Sequence, residues 1–124
     1  MITVYWNQLT SGRSWNAFKA PIRDSKGVLY ECGDCTLNFH AYTERKDKRD
    51  QYSTDAASGF LFGVGSVGKY LSAYNGSKTF LSRDAGQSWN EIADSPYMYE
   101  ISDSGSVLVL ANDAAPSETL RYYI

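Results

Sequence analysis

Residues 82–89, Ser-Arg-Asp-Ala-Gly-Gln-Ser-Trp, constrain the fold more than any other stretch of the chain. An apolar run at 79–81 leads into them and residues 90–92 continue out of them, which predicts two strands joined by a tight turn. Ser and Asp at alternate positions can accept hydrogen bonds from N–H groups of the turn. Gly86 supplies a backbone position with φ > 0, and Trp89 offers a large ring to bury beside the turn. The stretch therefore predicts a β-hairpin.

The composition favours an all-β chain. Tyr, Phe and Trp number 10, 5 and 3, and Gly, Ser, Asn and Asp separate short apolar runs, as in strands joined by turns. The 124 residues suit one domain. A net charge of −2 gives no reason to expect nucleic acid as a partner. No apolar run approaches the roughly 20 residues of a membrane span, and residues 1–6 lack the pattern of a signal peptide. We therefore predict no membrane span and no signal peptide in this chain.

Strand patterns recur outside the hairpin. The clearest is residues 36–43, in which Leu37, Phe39 and Ala41 alternate with Asn38, His40 and Tyr42. The other predicted strands are residues 2–6, 59–65, 97–102, 106–111 and 119–124. The strand at 59–65 is expected to run into a glycine-rich turn, and the charged run at 44–50 to form a solvated loop. Because the last predicted strand ends on an apolar Ile without a polar tail, we expect the chain to be a piece of a longer one.

A second, partial copy of the hairpin pattern lies near the N-terminus. Aligned on Gly and Trp, residues 8–16 match the second half of the first pattern at three positions, Gly12, Ser14 and Trp15. The first half has diverged, with Gln8 and Thr10 at the Ser and Asp positions. Two related hairpins favour a repeat architecture with an inserted loop or a degenerate repeat between them. A chance Gly-x-Ser-Trp is the alternative.

Residues 63–68 match G-x-G-x-x-G, the phosphate-binding pattern of dinucleotide sites. Such a site needs a helix next and a carboxylate on a following strand. Residues 69–76 are too short and too turn-rich for that helix. We therefore expect a glycine-rich β-turn at 63–68 and no cofactor.

Cys32 and Cys35 could form a metal half-site, a redox pair, a local disulfide or two free thiols. A zinc site needs two further ligands, and His40 is the one His of the chain. A thioredoxin-like motif precedes a helix, whereas a strand is predicted here. A small disulfide-closed loop is favoured if the protein enters an oxidising compartment. The strain of so small a ring keeps two free thiols open.

Two further patterns bear on function. Asn75-Gly76-Ser77 is an acceptor sequence for N-glycosylation on a predicted surface turn. With the cysteine pair, it favours the secretory pathway. Catalysis has little support, because one His, no G-x-S-x-G and no evident acid–base carboxylate pair leave no nucleophilic constellation.

The hairpin at 82–89 resembles the Asp-box, a motif of sialidases, sortilin-type receptors and other β-propellers. The matching positions are Ser82, Asp84, Gly86, Ser88 and Trp89. The motif itself says little about activity, because the box usually lies away from the ligand site. If the motif belonged to an enzyme, the chain would be a fragment of a sialidase-like hydrolase. Such an enzyme would need an arginine cluster, a Tyr nucleophile with a Glu, and an Asp acid–base.

The order of motifs from Cys32 onward is similar to the Vps10 domain of sortilin-type sorting receptors, most closely the fungal vacuolar ones. The matching stretches are Cys-Thr-Leu-Asn-Phe-His (35–40), Tyr-Thr-Glu-Arg-Lys-Asp (42–47), Gly-Val-Gly-Ser-Val-Gly (63–68), Thr-Phe-Leu-Ser-Arg-Asp-Ala-Gly-Gln-Ser-Trp (79–89), Tyr-Met-Tyr-Glu-Ile (97–101) and Asp-Ser-Gly-Ser-Val-Leu-Val-Leu (103–110). The resemblance extends over residues 12–124.

The resemblance implies a ten-bladed β-propeller, of which residues 1–124 would be a partial domain of about two blades, truncated at both ends. It implies a non-catalytic receptor fragment that serves the transport of lumenal cargo proteins or peptides from the Golgi to the vacuole or endosome. The parent would be membrane-anchored, and the family's cargo-binding arginine lies on an earlier blade. The alternatives are the hydrolase fragment and a small standalone β interaction module that oligomerises. Since two blades leave edges uncovered, we expect the isolated chain to be poorly stable.

Overall fold

A computed structural model describes residues 6–7, 16–40, 58–102, 105–112, 116 and 118–123. Nine strands lie in these ranges: β1 Trp6–Asn7, β2 Asn16–Lys19, β3 Thr36–Phe39, β4 Leu61–Gly68, β5 Lys78–Ser82, β6 Asn90–Ala93, β7 Tyr97–Ser102, β8 Val107–Asn112 and β9 Arg121–Tyr123. A 3₁₀ turn, Tyr74–Gly76, links β4 to β5. The prediction of an all-β chain is confirmed.

The strands form two antiparallel sheets. The first has the order β1-β2-β3-β4-β5-β6, and the second has the order β7-β8-β9. Within the first sheet, β3 to β6 follow one another as a four-stranded meander, with Phe39 paired to Gly65 and Phe62 to Leu81. The described strands do not close into a ring, so both sheets have open edges. This arrangement is consistent with a part of a β-propeller.

One apolar core lies between the two sheets. Its buried members are Phe62, Leu81 and Ala93 of the first sheet and Leu108 and Leu110 of the second. The ring of Phe62 stacks on that of Tyr99, with centroids 4.6 Å apart and planes 18° from parallel. Each fully buried side chain of this size stabilises the fold by about 1.5–3 kcal/mol. The packing of the second sheet on the first thus depends on apolar contact.

A second apolar core covers the opposite face of the first sheet. It comprises Leu37, Phe39, Phe80 and Trp89, with partly buried Phe18, Leu61 and Val67 around them. Neighbouring residues of β4 and β5 alternate between the two cores, because side chains along a strand point to opposite faces. The meander is therefore apolar on both faces, as expected of a strand set with a neighbour on each side.

The prediction of a glycine-rich turn at 63–68 is wrong. Strand β4 continues through Gly68 and is buried over most of its length. A Cβ at Gly63 would lie 2.5 Å from the ring of Phe39, and one at Gly65 would lie 1.9 Å from the carbonyl oxygen of Asn38. These glycines let β3 approach β4 closely within a sheet, a role that glycine has in strands as well as in turns.

Other strand predictions agree with the structure at their centres. Leu37 and Phe39 share the second core, as their alternation predicts. The opposite face is also buried there, with Asn38 1% and His40 5% exposed. The hairpin of β7 and β8 lies within one residue of its predicted bounds, and β9 occupies the centre of the last predicted strand. Residues 41–57, and with them the charged run, lie outside the described residues.

Candidate functional site

The turn between β5 and β6 is built on the Ser82 hydroxyl. Ser82 is fully buried at the end of β5. Its Oγ accepts a hydrogen bond from the Gly86 amide at 2.8 Å and donates one to Oδ1 of Asp84 at 2.8 Å. One hydroxyl therefore holds both sides of the turn, and it satisfies an amide that would otherwise be buried without a partner.

The Asp84 carboxylate closes the second half of the turn. Its Oδ1 accepts the Ser88 amide at 2.8 Å, and its Oδ2 accepts the Ser88 hydroxyl at 2.5 Å. Hydrogen bonds from the Ser88 side chain and amide, followed by the one from Ser82, lower the pKa of Asp84 to about 2. Hydrogen bonds to the charged form have this effect, because they are lost when the carboxylate takes up a proton.

The tip of the turn has left-handed backbone at two successive positions. Ala85 has φ 59° and Gly86 has φ 90°. The Ala85 amide donates to the carbonyl of Gly59 at 3.0 Å, which ties the turn to the segment before β4. Gly86 is buried, and a Cβ there would lie 3.3 Å from the side chain of Leu61. Both the positive φ and the close packing favour glycine at this position.

Trp89 anchors the turn in the second core. It is 4% exposed, and its ring lies 4.7 Å from that of Phe39 and 5.5 Å from that of Phe18, centroid to centroid. Its Nε1–H has no hydrogen-bond partner among the described residues. The indole therefore acts here as an apolar ring, and its aromatic contacts come from two strands, β2 and β3.

The partial second hairpin can be described only at its flanks. Gly12, Ser14 and Trp15 lie outside the described residues. The strands on either side pair with each other, Trp6 opposite Ala17 and Asn7 opposite Asn16. The degenerate box between them stays a prediction.

Cys32 and Cys35 lie on the segment that leads into β3. The structure joins their sulfur atoms in a disulfide, with Cα atoms 5.5 Å apart, a separation usual for such bonds. Asp34 between them faces Lys69 at 3.6 Å on the surface. Within the described ranges, no three His, Cys, Asp or Glu side chains come together as a metal site. The two sulfur atoms are therefore engaged with each other rather than with a metal-ligand set.

A buried carboxylate in β6 is the feature that the sequence analysis missed. The side chain of Glu91 is fully buried, with Lys78 Nζ at 3.6 Å from Oε2. Its Oε1 accepts the Ser25 hydroxyl at 3.0 Å, and its Oε2 accepts the Tyr30 hydroxyl. We call Glu91, Ser25, Tyr30 and Lys78 the Glu91 cluster. The one signal in the sequence was a charged residue inside a short predicted strand, beside Trp89.

The Glu91 cluster holds the loop at 21–30 against the first sheet. This loop is a small hairpin in which Arg23 pairs with Leu29, and the Asp24 carboxylate accepts the Lys26 and Val28 amides at 2.9 Å each. Burial raises the pKa of Glu91, partly offset by the hydrogen bonds from Ser25. The ring of Tyr30 also lies 5.4 Å from Lys78 Nζ. The buried carboxylate is thus surrounded by donors that come from distant parts of the chain.

The polar side chains of the turn stabilise the turn itself and are not arranged around a reacting group. The oxygens of Ser82, Asp84 and Ser88 are directed at groups of the turn itself. Two of the three described arginines have separate partners: Arg23 donates to the carbonyl of Gly27, and Arg121 lies over the ring of Tyr97. In the described ranges, no helix has the length and apolar character needed to cross a bilayer.

A family model described as sortilin, neurotensin receptor 3 (Sortilin-Vps10) matches residues 9–124. The chain belongs to this family. The resemblance seen in the order of motifs is thereby confirmed, and the all-β sheets with their open edges agree with a fragment of a Vps10 propeller.

Fungal relatives match the same region. The chain is 43% identical over 118 residues to "Vacuolar protein sorting/targeting protein 10" of Kluyveromyces lactis, and 47% identical over 116 residues to the protein of that name in Lodderomyces elongisporus. The matches cover 91% and 90% of this chain and 8% of each relative. An uncharacterized membrane glycoprotein of Saccharomyces cerevisiae is 42% identical over 116 residues, or 90% of this chain and 10% of its own length. The chain therefore spans less than an eighth of these relatives.

Proposed function

We propose that this chain is a non-catalytic part of the β-propeller of a Vps10-type sorting receptor. The observation that carries the proposal is the family match over residues 9–124, combined with relatives of which the chain spans 8% and which are named as vacuolar sorting proteins. The receptor as a whole would bind lumenal cargo proteins or peptides and carry them from the Golgi to the vacuole or endosome. This chain would contribute to the propeller that presents the cargo site.

The sheets support a division into blades. The meander β3–β6 has four strands, the number in a propeller blade, and the Asp-box joins its last two. Strands β7–β9, which form a separate sheet, would be the first three of the next blade, whereas β1 and β2 continue the sheet of the meander, because β2 pairs with β3. The core between the meander and β7–β9 would then be a blade-to-blade interface. On this proposal the chain is a partial domain that continues beyond both ends.

The Asp-box residues would have a structural role in the receptor. Ser82, Asp84, Gly86 and Ser88 direct their polar groups at one another, and Trp89 is buried. Groups already saturated by the turn are poor candidates for contact with cargo. We propose that the box orients the outer strands of the blade and that cargo binds elsewhere on the propeller.

Two observations support a lumenal location. The disulfide between Cys32 and Cys35 is a bond of oxidising compartments. One relative is named a membrane glycoprotein, and glycoproteins of membranes expose their sugar-bearing part to the lumen or the cell surface. We therefore propose that the chain lies on the lumenal side of a membrane receptor, and the resemblance to sorting receptors supports the Golgi and endosomes as its compartments.

A chimeric receptor tests the function. Residues 9–124 of this chain replace the matched segment of the Kluyveromyces lactis relative, and the secreted fraction of a vacuolar hydrolase is measured in cells that lack the native gene. We expect the chimera to retain the hydrolase in the cell, and a receptor without the segment to lose it to the medium. Unchanged sorting after deletion of the segment would show that it has no part in cargo transport.

Two controls separate the competing hypotheses. Turnover of a fluorogenic sialoside by the chain, abolished by substitution of Arg23 or Arg83, would support a sialidase-like hydrolase in place of a receptor. Light scattering that finds one defined oligomer of the isolated chain, folded by amide spectrum, would support a standalone β interaction module. We expect neither result.

A further inference from the structure

The turn between β4 and β5 has a feature that the propeller architecture does not require. Asn75-Gly76-Ser77 is the one Asn-x-Ser/Thr sequence in the 124 residues. This sequence is the acceptor for N-linked sugar. Asn75 and Gly76 are exposed on the 3₁₀ turn. A Cβ placed on Gly76 would meet no atom within 4 Å, so the surface beside Asn75 has room for a bulky group.

This turn lies at the end of the meander opposite the Asp-box. The Asp-box turn contacts the start of β4 through the bond from Ala85 to Gly59. The 3₁₀ turn follows the other end of β4, where Gly65 pairs with Lys78 at the start of β5. A sugar on Asn75 would therefore leave the Asp-box and the core around Trp89 untouched.

The third residue of the acceptor sequence is enclosed in the folded chain. Ser77 is 1% exposed. Its hydroxyl donates to the carbonyl of Ala73 at 3.1 Å and lies 3.0 Å from Nε2 of His40. The ring of His40 also packs edge-on against Tyr74, with centroids 5.1 Å apart.

We propose that Asn75 is the N-glycosylation site of this chain, and that the sugar is attached before the turn folds against His40. The acceptor reaction requires the hydroxyl at the third position, and the fold removes Ser77 from access. The proposal rests on the lumenal location proposed above, because the reaction takes place there. The proposed order, in which the sugar is attached before the turn folds, rests on the buried contact between Ser77 and His40.

The chemical step is a transfer from a lipid-linked oligosaccharide diphosphate. The side-chain nitrogen of Asn75 forms a bond to C1 of the first sugar, and the bond from C1 to the diphosphate oxygen breaks. The nitrogen loses one proton to a base of the transferase, and the lipid diphosphate leaves. No oxidant or reductant is needed.

The site is tested in the full 124-residue chain, directed into the secretory pathway of a fungal host by a cleavable leader. We expect the chain to migrate more slowly on a gel by the shift of one added glycan, and peptide N-glycosidase should remove this shift. Asn75→Gln should abolish the shift, and Ser77→Thr should preserve it. A matched control combines Asn75→Gln with Tyr70→Asn, which places an Asn-x-Ser sequence before Ser72 on the same exposed segment. Modification of this control but not of the wild type would overturn Asn75 as the acceptor.

The timing is tested on nascent chains. The same chain is extended at its C-terminus, so that all its residues reach the lumen while the ribosome is still attached. We expect the mobility shift on ribosome-bound chains. A shift that appears only on released, folded chains would overturn the proposed order. Because the leader supplies entry to the lumen, a failure at Asn75 is distinguishable from a failure of the proposed receptor function, which is judged by the sorting of the chimera.

Discussion

The Asp-box turn leads into β6, and the Glu91 carboxylate lies on β6, yet the two regions use side-chain hydrogen bonds in opposite ways. In the turn, Ser82, Asp84 and Ser88 bond to partners two to four positions away. In the cluster, the Glu91 carboxylate bonds to Ser25 and Tyr30, 66 and 61 positions away. The Asp84 carboxylate is exposed and the Glu91 carboxylate is buried. One region is organised by its own sequence and the other only by the folded chain.

The difference also appears in the pKa of the two carboxyls. Hydrogen bonds lower the pKa of Asp84, because they favour the charged form. Burial raises the pKa of Glu91, because the buried environment disfavours the charged form even beside Lys78. Local polar contacts can thus stabilise an exposed charge, whereas a buried charge depends on how many distant donors the fold brings to it.

The largest effect is expected from removal of the Trp89 ring, which both regions share as a neighbour. Trp89→Ala should lower the free energy of unfolding by about 3–5 kcal/mol, because it leaves a cavity among buried aromatic rings. Hydrogen exchange of the segment within the chimeric receptor measures this as lost protection. Trp89→Phe is the matched control, since it keeps a ring and removes an N–H that has no partner in the described ranges. An equal loss in both variants would contradict the packing role.

Glu91→Ala should have the next largest effect. It leaves the Lys78 ammonium and the hydroxyls of Ser25 and Tyr30 without their acceptor, and we expect a loss of about 2–3 kcal/mol. Hydrogen exchange should show lost protection at the amides of the 21–30 loop, with the amides of Gly86 and Ser88 retained. Loss of protection in both the 21–30 loop and the turn would contradict the view that the two regions are stabilised separately.

Ser82→Ala should reverse that pattern. The Gly86 amide loses its buried acceptor, at a cost of about 1–2 kcal/mol, and protection should fall in the turn while the 21–30 loop keeps its own. The control is Gln87→Ala, an exposed position of the same turn, which should change neither region. Retained protection of Gly86 in the Ser82 variant would show that the hydroxyl does not hold the turn.

The smallest effects are those of pH, and they should have opposite signs in the two regions. The stability that Asp84 contributes is complete above its ordinary pKa of 3.8 and is lost as pH falls towards about 2. For Glu91 the folded chain takes up a proton more readily than the unfolded chain, so stability rises as pH falls through its raised pKa. Carboxyl ¹³C shifts measured against pH report both groups. Parallel titration of the two would contradict the comparison.

Much of the fold could be predicted from periodicity and turn chemistry, because these are local. Neighbouring residues determine three of its features: the alternation of Leu37 and Phe39, the hairpin of β7 and β8, and the turn before Trp89. The same local reasoning failed at Gly63 and Gly65. A run of glycines predicts a turn when only the local sequence is considered. The structure shows that Phe39 and the backbone of Asn38, both on β3, pack closely against these glycines.

The sequence by itself determined the all-β class, the family and the polar groups of the Asp-box, since each depends on residue types at short, fixed spacing. Only the tertiary structure decided that β4 runs straight through its glycines and that Glu91 is buried among donors from the 21–30 loop. It also decided that the Ser77 hydroxyl is enclosed against His40. The physical reason is distance along the chain: these contacts join segments tens of residues apart, and no local pattern encodes which of them will meet.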